Sequence, residues 1–237
     1  MNADEQKKRL RDQLYKANTI YFWEYQGAGQ KYTNLAYWIL SIFSGGIPLL
    51  FLWSVTDMTV DSPVFFGLFI LSTTLVFIGR YLFAPDKHRC YHLTSMGIHY
   101  TEQDMIPEVA YKVARGFAWI GIVVCIIIAF IFGPLAFVGA GAFALMSFGM
   151  TNFQSTIQEH EVFFSDRPIL FNLVNDTMFR VDSYTAPDYC CRRDFYVPSL
   201  EQKKQIITAI QNSQKNIEYV ELAKLNDMFK HPIFIQD

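Results

Sequence analysis

The sequence predicts an α+β membrane protein, with four transmembrane helices in two hairpins and a small cytoplasmic antiparallel β-sheet capped by a C-terminal helix. Residues 116–158 contain no Asp, Glu, Lys, Arg or His, and two shorter uncharged stretches precede them. Segments typical of strands flank these stretches. A composition that is 51% hydrophobic and 16% aromatic, with a mean hydropathy of +0.16, agrees with a membrane protein.

The first transmembrane hairpin is predicted at residues 33–83. No residue is charged in 33–56 or in 62–79, and a bilayer core about 30 Å thick needs roughly 20 apolar residues per helix. Gly45-Gly46 and Pro48 lie inside the first helix. Such residues kink a transmembrane helix or let a neighbouring backbone come close.

The second transmembrane hairpin is predicted at residues 116–158, with the bend at Gly133-Pro134. A shallow re-entrant hairpin is the alternative, because each arm is near the lower length limit for a span. Small residues recur along the second arm at helical spacing, which lets helices pack closely, either within the bundle or between two copies of the chain. These are Ala136, Ala140, Gly141 and Ala144.

The distribution of basic residues predicts the orientation. Six Lys and Arg lie in residues 1–32, none in 54–61, five in 80–115 and nine in 159–237. By the positive-inside rule both termini are cytoplasmic, in a multi-pass protein of the cell inner membrane.

The N-terminal segment, residues 1–32, is predicted to be a basic amphipathic helix followed by aromatic residues. Its basic side chains make it suited either to an anionic lipid surface or to packing on the rest of the protein. They are Lys7, Lys8, Arg9 and Arg11. The aromatic run that follows is predicted to lie at headgroup depth. It contains Tyr21, Phe22, Trp23 and Tyr25.

The loop at residues 84–115 and the tail at residues 159–237 are predicted to form one cytoplasmic sheet. Two strands in the loop, 89–94 and 98–101, join through a turn at Ser95-Met96-Gly97. Four strands are predicted in the tail, at 161–164, 169–174, 178–184 and 190–197. Ser199 and Gln202 form a capping box for the final helix, whose apolar pattern resumes at 217–225.

The order of these elements, a membrane hairpin, the strand pair containing YHLTSMGIHY, further strands and a helix, resembles that of bacterial PH-like membrane proteins. The resemblance covers residues 90–101 and 159–228 and implies a headgroup-binding sheet. The overall plan, with four spans and folded mass only in the cytoplasm, is similar to the small inner-membrane exclusion and immunity proteins associated with plasmids and conjugation. That similarity implies a role through protein contact.

One cluster of side chains has the chemistry of a metal site. His88, Cys90 and His92 alternate along a predicted strand and therefore share one face, with His99 on the neighbouring strand. Imidazole and thiolate are zinc ligands. The alternative is an ordinary sheet face of mixed burial, because the spacing differs from that of the common zinc motifs.

Several function classes are disfavoured by the sequence. A net charge of −2 gives no reason to expect nucleic-acid binding, and no catalytic or cofactor-binding motif is found. No ionisable residue lies inside a predicted span, which disfavours a pump or transporter. Arg192-Arg193 with Lys203-Lys204 forms either a basic patch for lipid headgroups or an acidic partner, or a solvated face.

The sequence therefore predicts a non-enzymatic protein that acts by contact with another membrane protein, as in exclusion, immunity or accessory-subunit roles. Lipid-surface sensing or lipid handling is the alternative, and a second copy of the chain is a further possible partner.

Overall fold

A computed structural model describes residues 3–55, 59–133, 145, 147–164, 167–183 and 192–234. The α-helices with described bounds are α1 (Ala3–Lys16), α2 (Thr33–Val55), α3 (Pro63–Ile78), α4 (Glu108–Phe132) and α5 (Leu200–Ser213). The strands are β1 (Tyr21–Gly27), β2 (Lys87–Leu93), β3 (Gly97–Asp104), β4 (Ile157–Phe163), β5 (Pro168–Leu173), β6 (Met178–Ser183), β7 (Arg193–Tyr196) and β8 (Glu218–Leu222). A π-helical turn, Gly79–Phe83, extends α3, and the chain ends in two short 3₁₀ helices, Leu225–Lys230 and Pro232–Phe234.

Three described helices are long and apolar enough to cross a membrane: Thr33–Val55, Pro63–Phe83 and Glu108–Ile131. At most 11% of the most apolar window of each is buried, so few of their apolar side chains are covered by the rest of the described structure. The α+β class is confirmed. Most of the predicted fourth arm, with Ala136, Ala140, Gly141 and Ala144, lies outside the described residues.

Helices α2 and α3 pack through small residues. Ser72 Oγ donates a hydrogen bond to the Gly45 carbonyl oxygen at 2.7 Å. A Cβ atom on Gly45 would lie 2.6 Å from Val76 Cγ2 and 2.8 Å from the Ser72 carbonyl oxygen, closer than real contacts allow. Gly45 therefore sets the separation of the two helices, as expected where small residues let helix backbones approach.

This contact gives a matched pair of variants in consecutive residues. Gly45→Leu is expected to lower the free energy of unfolding by about 2 kcal/mol, because the added side chain forces α2 and α3 apart. Gly46→Leu is the control, because a Cβ on Gly46 meets nothing within 4 Å. Melting temperatures in detergent check this, and equal effects of the two substitutions would contradict the packing described.

Arg80 links the two ends of the first apolar hairpin, which are predicted to lie on the cytoplasmic side. Its side chain is only 3% exposed and donates to Asn34 Oδ1 at 2.7 Å, Asp86 Oδ1 at 2.8 Å and the Ala84 carbonyl oxygen at 2.8 Å. The guanidinium also lies 5.7 Å from the ring centroid of Trp38. One buried cation thus connects the start of α2, the end of α3 and the chain leading into β2.

The first sheet has the order β1-β2-β3-β4, with every neighbouring pair antiparallel. Residues 33–83 lie between β1 and β2 in sequence, and residues 105–156 lie between β3 and β4. Paired strands must be in the same compartment, since a ladder of backbone hydrogen bonds joins them directly. Any membrane crossed by the apolar helices is therefore crossed an even number of times between β1 and β2, and again between β3 and β4.

Strand β1 corrects the prediction made for the aromatic run. Trp23 is 1% exposed, stacks on Tyr91 with ring centroids 4.9 Å apart, and donates from Nε1 to the Tyr196 carbonyl oxygen at 3.1 Å. Headgroup depth is therefore wrong for Trp23, which belongs to the core. Phe22 alternates to the opposite face of the strand and is 48% exposed.

The predicted hairpin of the loop is confirmed as β2 and β3. Gly97 has a φ of +157°, and a Cβ there would overlap the Val162 carbonyl oxygen of β4. Thr94 Oγ1 donates to the Gly97 carbonyl oxygen at 2.9 Å. Only glycine allows β4 to pair this closely beside the turn.

A second sheet, in the order β7-β6-β5-β8, replaces the single predicted sheet. The strands predicted in the tail are present, but the apolar pattern at 217–225 forms β8, which pairs parallel with β5, instead of continuing the helix. Helix α5 connects β7 to β8 and begins where predicted, with Ser199 Oγ accepting from the Gln202 amide at 3.2 Å. Strand β8 forms backbone hydrogen bonds with the otherwise unpaired edge of β5. The apolar periodicity of the sequence carries no information on this long-range pairing.

The main core lies between the two sheets and α5. Its fully buried members come from both sheets and the helix. They include Tyr91, Ile98, Val162, Leu170, Phe179, Phe195, Ile206 and Ile210. A smaller core on the other face of the second sheet contains Ile169, Phe171, Leu222 and Met228.

Lys203 is buried beside this core and does not contribute to the predicted basic patch. It is 2% exposed, and its ammonium donates to the carbonyl oxygens of Leu173 at 2.6 Å and Asp176 at 2.5 Å. Burial lowers the pKa of Lys203. The side chain ties α5 to the β5–β6 turn.

Replacing this lysine tests its structural role. Lys203→Met is expected to cost about 2 kcal/mol of stability, because buried carbonyl oxygens lose a charged donor. The neighbouring Lys204→Met changes an exposed side chain and should stay within about 0.5 kcal/mol of the parent protein. Denaturant melts of both variants decide the matter, and a tolerated Lys203→Met would show that the ammonium contacts contribute little.

Helix α1 packs on the outer face of the first sheet. Leu14 is fully buried, and the Tyr15 and His99 rings lie 4.5 Å apart. Arg11 Nη2 reaches Glu159 Oε2 at 2.6 Å. Of the two alternatives for the N-terminal segment, these contacts favour packing on the rest of the protein.

Candidate functional site

An arginine-lined cleft lies where the first sheet meets the edge strand of the second. It has a volume of about 240 Å³. Strands β2 and β3 contribute one wall, while β6, β7 and the residue before β7 contribute the other. The lining residues are Arg89, Tyr100, Glu102, Arg180, Arg192, Arg193, Asp194 and Tyr196.

Strand geometry explains why Arg89 and Glu102 meet in this cleft. They are directly opposite in the β2–β3 register, and Arg89 Nε donates to Glu102 Oε2 at 2.7 Å. Lys87 Nζ donates to the other carboxylate oxygen at 2.5 Å. Arg89 also places its guanidinium carbon 5.0 Å from the ring centroid of Tyr196. The ion pair with Glu102 and the contact with the Tyr196 ring together fix the orientation of the Arg89 guanidinium.

The other wall has two further ion pairs, one longer and one of similar length. Arg180 Nη1 lies 3.5 Å from Asp194 Oδ1, and Arg192 Nε lies 2.8 Å from Asp182 Oδ2. Arg193 is exposed at the mouth, 3.5 Å from the ring nitrogen Nδ1 of His160.

The cleft has an excess of positive charge. Four arginines line the cleft, together with two carboxylates, those of Glu102 and Asp194. The flanking Lys87 and Asp182 carry opposite charges that cancel, so the excess is two positive charges. Arg89 is buried, and its Nη1 has no hydrogen-bond partner among the described residues. A buried donor without an acceptor is costly, and an anion near the cleft lowers that cost by offsetting the charge of the arginine.

The surroundings shift the pKa values of the cleft residues in both directions. Burial raises the pKa of Tyr196 to about 12. Burial also raises the pKa of Asp194, and the nearby Arg180 and Arg193 only partly oppose this. For Glu102, burial favours the neutral acid, but hydrogen bonds from Lys87 and Arg89 outweigh it and lower the pKa. The cleft therefore keeps Glu102 ionised while disfavouring charge on Asp194.

The sequence identified part of this site. Arg192 and Arg193 were predicted as basic surface, and both line the cleft. Lys203 and Lys204, grouped with them by sequence, lie elsewhere. The contribution of Arg89 was missed because it comes from a strand about 100 residues earlier. The available signal was the hairpin itself, because extending its second predicted strand by one residue, from 98–101 to Glu102, places Glu102 opposite Arg89.

The cluster of potential metal ligands in the structure differs from the predicted one by one residue, with Glu24 in place of His92. His88, Cys90 and His92 lie on one face of β2, away from the core, as alternation requires. His88 and Cys90 come together with Glu24 of β1. His92 instead stacks on His99, with ring centroids 4.8 Å apart.

The described basic residues of α1 differ in their contacts. Lys8 and Arg9 are exposed, whereas Arg11 is paired with Glu159. The side chain of Lys7 lies outside the described residues. Contact of this helix with anionic lipid stays a prediction.

The pKa of Glu102 predicts a pH dependence of stability. Its folded-state pKa is below the unfolded value of about 4.3, so the ion pairs stabilise fully above that pH and are lost as the pH falls through the folded pKa. Glu102→Gln is expected to cost about 2 kcal/mol at pH 7. The difference from the parent protein should shrink on acidification, as followed by melting temperature. The exposed Glu201→Gln is the control, and a Glu102→Gln effect that does not change with pH would contradict the assignment.

Comparison with known proteins identifies the family. A family model described as TsiV2 immunity protein matches residues 1–237. The immunity protein TsiV2 of Vibrio cholerae serotype O1 is 36% identical over 230 residues, which cover 97% of this chain and 95% of the relative. No solved structure matches. The PH-like resemblance and the plasmid and conjugation context find no support, whereas the immunity resemblance does. The chain therefore belongs to the TsiV2 immunity protein family.

Proposed function

We propose that this chain is a multi-pass inner-membrane immunity protein that protects its cell by binding a cognate effector protein. Membership of an immunity family over the full chain supports the general role. The proposed action is contact without catalysis. The observation that carries the contact is the arginine-lined cleft, with its excess positive charge and the unpartnered Nη1 of the buried Arg89.

Membrane insertion with four spans is part of the proposal. Three apolar helices whose side chains are largely unburied support it. The sequence of residues 134–156 has no charged residue and is long enough for the proposed fourth span. The even number of crossings required by the first sheet agrees with four spans. The counts of basic residues favour a cytoplasmic location for the sheets and both termini.

The proposed contact in the cleft is with an acidic side chain of the effector. The cleft is smaller than the roughly 300 to 1,000 Å³ typical of small-molecule sites, so it suits a single inserted side chain. A carboxylate can accept from the exposed Arg193 at the mouth, and the excess positive charge of the cleft favours it. The effector is proposed to act at the inner membrane, which is the location proposed for this chain.

Deletion of the gene tests the function without requiring the effector in purified form. The deletion strain is expected to lose viability in co-culture with its own parent, because the parent still produces the effector. Colony counts of the deletion strain, with and without the gene restored, measure protection. Equal survival of both strains under conditions in which the restored strain expresses the protein would contradict the immunity function.

Charge reversal tests the cleft within the same assay. Arg193→Glu is expected to weaken the contact by about 2 kcal/mol, roughly thirtyfold in affinity, and to reduce protection. Lys215→Glu is the matched control, because Lys215 is exposed and outside the cleft. Both variants must accumulate in membranes at the parental level. Full protection by Arg193→Glu would remove the cleft from the proposal while leaving the family role intact.

A further inference from the structure

The outer face of the first sheet brings together three potential metal ligands from two strands. Glu24 of β1 is directly opposite Cys90 of β2, and His88 is two residues before Cys90 on the same face. Glu24 Oε2 lies 3.3 Å from His88 Nε2, and Cys90 Sγ lies 3.7 Å from the same nitrogen. All three ligand atoms lie within 4.8 Å of one another.

The two separations from the His88 nitrogen are close to the edges of a zinc coordination tetrahedron. With Zn–N and Zn–O bonds of about 2.1 Å and a Zn–S bond of about 2.3 Å, tetrahedral angles separate N from O by roughly 3.4 Å and N from S by roughly 3.6 Å. The separations of the His88 nitrogen from Glu24 and Cys90 match both values. A Glu–His ion pair alone accounts for the first separation but gives no role to the thiol.

We propose that Glu24, His88 and Cys90 bind a single Zn²⁺ ion, with solvent as the fourth ligand. The side chains of Glu24 and His88 are 50% and 31% exposed, so the ion enters from solvent and keeps an open position. His92, further along β2, is not a ligand, because its ring stacks on that of His99 in β3. The site fastens β1 to β2, the two strands joined by the first apolar hairpin. This proposal is independent of the immunity function.

The electrostatics of the cluster favour a cation. Burial and then the Glu24 carboxylate raise the pKa of the Cys90 thiol, since two neighbouring anions repel. A bound Zn²⁺ neutralises that repulsion and displaces the thiol proton.

Cobalt substitution in the full-length protein tests the site. Chelator-treated protein in detergent is titrated with Co²⁺, and thiolate-to-cobalt charge-transfer absorption with one-to-one stoichiometry is expected, reversed by Zn²⁺. Cys90→Ser should abolish the charge-transfer band. Glu24→Gln and His88→Ala should each weaken Co²⁺ binding by roughly tenfold or more.

Two controls make the result specific to this cluster. His92→Ala should leave Co²⁺ binding unchanged, and a joint Cys190→Ser and Cys191→Ser variant should retain the band. Circular dichroism verifies that each variant is folded. Absence of the charge-transfer band in the parent protein, or its persistence in Cys90→Ser, would overturn the proposal, as would loss of the band in folded His92→Ala.

Discussion

The first sheet joins strands that are far apart in the chain, and the rest of the structure depends on this pairing. Strand β1 precedes the first apolar hairpin, β2 and β3 follow it, and β4 comes after the second apolar stretch. Backbone hydrogen bonds between these strands leave no room for a bilayer between them. Each apolar stretch must therefore return to the side on which it began. In the proposed topology, the sheet closes both hairpins at their cytoplasmic ends.

Two distinct surfaces follow from this arrangement. On the inner face of the first sheet, the apolar core gives way to Arg89 and Glu102, and the edge of the second sheet completes the arginine-lined cleft. On the outer face, Glu24 meets His88 and Cys90 across the β1–β2 pair. The first surface is proposed to bind an effector and the second a metal ion. Both use side chains from β2, because alternation along one strand directs successive residues to opposite faces.

Local patterns predicted the elements whose signals are local. The β2–β3 hairpin was found from alternation with a glycine turn at Gly97, and α5 from its cap at Ser199. Strand β1 was missed because its consecutive aromatic residues conceal the period of two. Strand β8 was missed because its apolar residues have a helix-like spacing, and its strand conformation depends on pairing with β5. Glu24 and Arg89 acquire their proposed roles only through partners on other strands. The burial of Lys203 depends on carbonyl oxygens that no sequence pattern places beside it.

Cross-linking between β3 and β4 tests the central constraint most directly. Thr101 and Glu159 are register partners, and opposite residues of paired strands lie within disulfide range, with Cα atoms about 5 Å apart. In a variant whose native cysteines are replaced by serine, Thr101→Cys with Glu159→Cys is expected to form a disulfide on mild oxidation of isolated membranes. Thr101→Cys with Lys215→Cys, which is outside the first sheet, should not. The contrary result has two parts: the first pair fails to cross-link, and an impermeant maleimide labels position 159 in intact cells. Together they would place β4 across the membrane from β3 and contradict the account.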